Sequence, residues 1–179
     1  MTREKLIALP KIELHCHLDG SLSKEFIEKR LGREVSPKEL SVSDDCTSLA
    51  EYLEKFSLPG QCIMDEKGLE GAGYDVLKSM SRENVCYAEI RFAPLLSETE
   101  EMSCAKVIES LLEGLEKGRA DFGVEFGVIT CAMRHHSEED NSRMIKTARE
   151  YLGCGVCAAD LAGAEASYPM SEFMNLFQN

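Results

Sequence analysis

Four short runs of β-branched, aromatic and small apolar residues recur along the chain, and the segments between them carry helical punctuation. The runs are "IELHCHL" (12–18), "VCYAEIRFAP" (85–94), "VEFGVITCAMR" (124–134) and "CGVCAADLAG" (154–163). They are apolar almost throughout instead of strictly alternating, as strands buried on both faces are. Strands that alternate with helices predict a parallel sheet covered by helices. The helical segments mark their own ends. "SKEFIEKRLG" (23–32) opens on Ser23 as an N-cap and closes on Gly32. "TSLAEYLEKFSL" (47–58) is expected to stop at Pro59-Gly60, and "DEKGLEGAGYDVLKSMSREN" (65–84) is helical at least in its second half. The clearest helix is "SCAKVIESLLEGLEKGRADFG" (103–123), with apolar positions at 107, 108, 111, 112 and 115. "SEEDNSRMIKTAREYLG" (137–153) has an acidic first turn, and "SEFMNLFQN" (171–179) begins a further helix. Loops are expected at 33–46, 94–102 and 164–170.

A complete (β/α)8 barrel needs roughly 250 residues. This chain has 179, reads as four strands and stops inside a predicted helix. The expectation is one domain over 1–179, either a small open four-stranded α/β domain or the first half of a barrel, ending before strand five.

The hydrophobic fraction of 44% and charged fraction of 29% are those of a soluble globular protein. A net charge of −12 gives nucleic-acid binding little electrostatic support. No run of 18 apolar residues offers a membrane span. The opening "MTREKLIALPKIELHC" has mixed charge and no long apolar region. A secretory signal is therefore not expected, and a cytoplasmic location is. The eight cysteines, at 16, 46, 62, 86, 104, 131, 154 and 157, are then expected as buried reduced thiols.

In parallel α/β sheets chemistry collects at the C-terminal ends of strands. Here those ends read "HCHLDG", "EIRFAP", "CAMRHH" and "DLAG". His15 and His17 stand at i and i+2, so a strand points both to one face, about 7 Å apart along the chain. Cys16 must then point the other way, toward the helices. Two imidazoles on one face at a strand end can share a metal ion, and imidazole is a common zinc ligand. Catalytic zinc needs about three protein ligands with an open position. His135 and His136, the other two histidines, read instead as a solvated approach to a helix. Cys154 and Cys157 form a C-x-x-C in a predicted strand, with the thiols on opposite faces, and read as packing. Combined with His136-Ser137-Glu138 they imitate a zinc nucleobase-deaminase signature, but Gly153 stands where its proline belongs and the strand context is wrong.

"LPKIELHCHLDGSL" (9–22) closely resembles the opening of the adenosine deaminases, metal-dependent members of the amidohydrolase superfamily. "YAEIRFAP" (87–94) resembles their second strand, "DLAGAE" (160–165) their fourth, and "LAEYLEKFSLP" (49–59) an apolar helix near their purine pocket. The resemblance runs over nearly the whole chain. It implies a zinc (β/α)8 barrel, present here as its first four βα units, that converts adenosine or 2′-deoxyadenosine to inosine or 2′-deoxyinosine with loss of ammonia. It implies that His15 and His17 are zinc ligands and that Asp19 bonds the ribose 5′-hydroxyl. It also implies that Gly163 presents its backbone N–H to the purine and that Phe56 and Leu58 line the apolar pocket. Adenine deaminases tend to show "HIEG" where this chain has "HLDG", so a nucleoside is expected ahead of the free base. The family's third zinc histidine, its catalytic glutamate in a motif like "HAGE", a histidine of strand six and a zinc aspartate of strand eight have no match in this chain. Two classes follow: an adenosine deaminase represented by its N-terminal half and inactive alone, or a non-catalytic remnant or half-barrel that pairs with another chain. Open sheet edges would favour self-association in either.

Overall fold

A computed structural model describes residues 2–178. Four parallel strands lie in the order β1 (Lys11–His17), β2 (Val85–Phe92), β3 (Glu125–Met133) and β4 (Val156–Ala162). A parallel neighbour requires a crossover. Here the crossovers carry α6 (Glu66–Arg82), α7 (Cys104–Phe122) and α8 (Glu138–Arg149). The side chains on one face of the sheet pack against these helices. Cys16, Ala88, Ile90, Val128 and Leu161 meet Leu69, Val76, Ile108, Leu111 and Met144 in one buried cluster. Asp65 caps α6 by accepting from Gly68 N, and Ser103 and Ser137 cap α7 and α8. Gly123 closes α7 in the left-handed region at φ 68°.

The helices α6 and α7 approach backbone to backbone. A Cβ on Gly114 would lie 1.9 Å from the Glu70 carbonyl oxygen, and one on Gly73 would lie 2.8 Å from that of Leu111. Among the described residues no helix covers the strands on the other side of the sheet, and at the β1 edge Ile12 (64% exposed) and Leu14 (57% exposed) remain open to solvent. That arrangement is half of a (β/α)8 barrel: one covered outer face, one inner face, and an unpaired edge at β1 and at β4.

Several elements differ from their sequence expectation. The stretch 47–58 is two short helices, α4 (Leu49–Glu54) and α5 (Ser57–Gln61), and Pro59-Gly60 does not stop the second. Pro59 falls in the first turn of α5, where its missing N–H removes no helical bond. The last predicted helix is a 3₁₀ helix, Met170–Gln178, and Asn179 lies outside the described residues. Helix α8 ends at Arg149, four residues short of Gly153, whose N–H instead bonds the Val156 carbonyl at 3.0 Å. The expected loop 33–46 contains α3 (Pro37–Leu40), with proline at its start and Glu39 accepting from Ser36 N. The short α1 (Arg3–Ala8) and α2 (Lys24–Leu31) flank β1, and α2 has the expected Ser23 and Gly32 caps. All eight cysteines are free, but Cys86, Cys154 and Cys157 are exposed, not buried. Cys157 faces the uncovered side of the sheet, where its thiol reaches the Val128 carbonyl, and Cys154 lies in the turn before β4. Among the described residues no helix is long and apolar enough to cross a membrane.

The segment after β2 is tied down by Glu98. Its carboxylate accepts from Arg143 Nη1 at 2.8 Å and Nη2 at 2.7 Å on α8, and from Cys104 N at 2.9 Å. The Arg143 bonds hold its carboxyl below the usual range, with the Cys104 N–H assisting and burial opposing. Glu98→Gln should therefore cost about 1–2 kcal/mol at pH 7. A depressed carboxylate pKa gives stability that is present above the unfolded value, about 4.3, and is lost as pH falls through the folded one. Urea unfolding of both chains should show the gap narrow at about pH 3.5; a gap unchanged with pH would contradict the ion pair.

Candidate metal and substrate site

Strand β1 delivers both histidines to the uncovered inner face. Its register with β2 slips between Glu13 and Cys16, so one extra residue is accommodated just before the pair, a device that re-aims side chains near strand ends. Cys16 is buried on the helix side and donates to Ser21 Oγ at 3.1 Å, while His15 and His17 are exposed. The strand alternation drawn from sequence therefore holds. The two imidazole Nε2 atoms stand 3.2 Å apart, with ring centroids at 5.2 Å. The turn that follows is anchored from behind. Asp75 on α6 accepts from Ser23 N and Ser23 Oγ, each at 2.7 Å.

A network missing from the sequence reading surrounds the pair. Arg91, buried on β2, donates from Nη1 to His15 Nε2 at 2.9 Å. Its Nη2 forms an ion pair with Asp160 on β4 and reaches Cys131 Sγ on β3 at 3.6 Å. One guanidinium thus touches side chains of β1, β3 and β4 from its place on β2. The signal in the sequence was a charge inside an apolar strand, at Arg91 in "EIRFAP" and Asp160 in "DLAG". A parallel strand buried on its helix side tolerates such residues only on the barrel-interior side.

The local electrostatics follow from burial and this cation. Burial, and then the Arg91 charge, push the His17 pKa down, toward the neutral ligating form. Burial raises the Asp19 carboxyl, with the His17 charge opposing. Asp19 is half-buried, two residues beyond His17. Phe56 lies against the same turn: a Cβ on Gly20 would meet Phe56 Cε1 at 3.0 Å and His17 Cβ at 3.7 Å. Leu58 points elsewhere, onto a small cluster of Ile27, Val35 and Cys62 beside α2. Gly163 follows β4 at φ 116°, a conformation that L side chains rarely adopt, with Arg134 Cβ 3.4 Å from where its own Cβ would be. His135 and His136 stack edge to face, 4.4 Å between centroids, before the α8 cap. Burial lowers the His136 pKa, and its Nδ1 is buried without a partner among the described residues. No group of three or more His, Cys, Asp or Glu side chains among the described residues is placed to hold a metal ion. The donors gathered at β1 are therefore two.

Two donors fit the geometry of one ion. Tetrahedral zinc with Zn–N bonds of about 2.0–2.1 Å separates its nitrogen ligands by about 3.3 Å, and the observed separation is 3.2 Å. A family model described as adenosine deaminase matches residues 10–179. The chain belongs to the adenosine deaminase family. Proteins named adenosine deaminase from Clostridium perfringens and Enterococcus faecalis are 38% and 33% identical over 184 and 182 residues. Those alignments cover 96% and 97% of this chain but 55% and 54% of the relatives, so the chain spans about half their length. Among solved structures, an amidohydrolase from Burkholderia ambifaria with bound Zn superposes with a TM-score of 0.81 at 17% identity, over 99% of this chain and 51% of that one. That likeness concerns the fold. The N6-methyl-AMP deaminase of Arabidopsis thaliana superposes with a TM-score of 0.77 at 26% identity, over 98% of this chain and 55% of that one. The half-barrel of this adenosine deaminase family member is thus matched by about half of each of these larger structures.

Proposed function

We propose that this chain supplies half of a zinc-dependent site for hydrolytic deamination of adenosine and 2′-deoxyadenosine, and that it does not turn substrate over by itself. The observation that carries the reading is the pair of Nε2 atoms 3.2 Å apart at the C-terminal end of β1. His15 and His17 would hold the metal. Zinc, when bound, supplies a Lewis acid that makes water acidic near neutral pH. The chain's own residues bind and orient. Asp19, next to the histidines, is suited to accept the ribose 5′-hydroxyl, which favours a nucleoside over free adenine, since adenine has no hydroxyl to offer. The backbone N–H of Gly163 meets the purine edge. Phe56 over Gly20 gives the apolar wall, while Leu58, packed on the Ile27 cluster, supports the adjoining segment. What the described residues lack is a third metal ligand and a group to protonate the ring.

A second reading, a half-barrel that pairs with another chain and does no chemistry, draws on the uncovered β1 edge at Ile12 and Leu14. Zinc binding separates the two. Competition with a chromophoric chelator should show weak binding by the chain. His15→Ala and His17→Ala should each reduce it at least about tenfold, as loss of one of few ligands does. Binding unaffected by either change would remove the metal from β1 and favour the non-catalytic reading.

A further inference from the structure

Arg91 makes contacts on the inner face that the deamination chemistry above does not use. Its side chain is only 10% exposed, whereas that of its partner Asp160 is 42% exposed. We propose that Arg91, drawn toward β4 by Asp160, is a positioning residue that competes with zinc for His15 and so tunes how tightly the histidine pair holds metal. The inference rests on the reading of His15 and His17 as zinc ligands.

The competition is a matter of lone pairs. A neutral imidazole offers one acceptor nitrogen. Nη1 of Arg91 donates to His15 Nε2 at 2.9 Å, and that is the nitrogen that faces His17 Nε2 across 3.2 Å. It cannot serve the guanidinium and a metal with the same lone pair. The guanidinium also stays charged at any accessible pH, so it repels a dication at close range. Asp160 acts in the opposite sense. It pairs with Nη2, on the far side of the guanidinium from His15, and Leu161 N fixes its other oxygen at 2.8 Å. Its carboxylate offsets the cation and gives Arg91 a second place to bond. Nε of Arg91 has no partner among the described residues. Withdrawal from His15 therefore breaks no bond at Nε.

The two residues must then shift zinc affinity in opposite directions, whereas residues that merely hold the fold would both lower it. Groups adjoining metal ligands change affinity about 10- to 100-fold. With the full chain and Zn²⁺ in chelator competition, Arg91→Met should tighten binding about tenfold and Asp160→Asn should weaken it about tenfold. Arg91→Lys, which keeps the charge but loses the forked reach, should fall between wild type and Arg91→Met. It stands in for Arg91→Met if far-UV circular dichroism shows that variant unfolded. Zinc bound by the wild type through His15 and His17, with affinity unchanged or lowered in the Arg91 variants, overturns the competition and leaves the metal reading intact. No zinc binding in wild type, Arg91→Met or Arg91→Lys overturns both.

Discussion

Gly114→Ala is expected to destabilise the chain severely, although alanine is the better helix former by about 1 kcal/mol. The new methyl would sit 1.9 Å from the Glu70 carbonyl oxygen and 2.7 Å from its carbon. Those are backbone atoms of the facing helix and cannot rotate away. Relief requires α6 and α7 to separate, which opens the contact between Gly73 and the Leu111 carbonyl as well. Overpacking of this kind costs about 3 kcal/mol or more, a large share of a domain stability of about 5–15 kcal/mol. At roughly 2–4 °C per kcal/mol for a chain of this size, the Tm should fall by about 6–12 °C. Gly60→Ala is the control. Nothing lies within 4 Å of its added Cβ, so it should be neutral or slightly stabilising. A Tm for Gly114→Ala at or above wild type would mean that the two helices are not in backbone contact.

Much of this fold is legible in the sequence because parallel strands and their crossover helices announce themselves by different means. Ser23, Ser103 and Ser137 mark helix starts, and Gly32 and Gly123 mark ends through their positive φ. Less legible are segments whose conformation depends on what they rest against. Gly153 looks like a helix end, but the chain leaves α8 earlier and uses Gly153 and Gly155 to turn into β4, where a side chain on Gly155 would strike Leu112 at 2.4 Å. The two-helix form of 47–61 and the 3₁₀ form of 170–178 carry no periodic signal long enough to be told from a regular α-helix.

At the site, the period of two within β1 was enough to place His15 and His17 together and Cys16 behind them. Arg91 and Asp160 were harder. They lie 69 residues apart and meet across an intervening strand, a pairing that local pattern does not encode. Cys131 joins them because its register partner is Asp160, which only the assembled sheet reveals. The exposure of Cys157 has the same origin: burial of a strand residue depends on which face is covered, and here the inner face is open.

The second large effect concerns catalysis, and it tests the central claim most directly. Purified chain, supplied with zinc and adenosine and followed at the purine absorbance band, is expected to show no turnover above a zinc-buffer blank. The described residues bring two metal donors together where about three are needed with an open water position. They also offer no matched group to protonate the purine ring, and general acid–base catalysis alone is typically worth about 10²- to 10⁴-fold. The same preparation should nevertheless bind zinc through His15 and His17, so binding and turnover part company. A flat trace, identical in wild type and in the His15→Ala, His17→Ala double variant, is the predicted result. Deamination by the wild-type chain that disappears in the double variant would contradict it and would show that this half-barrel is an enzyme by itself.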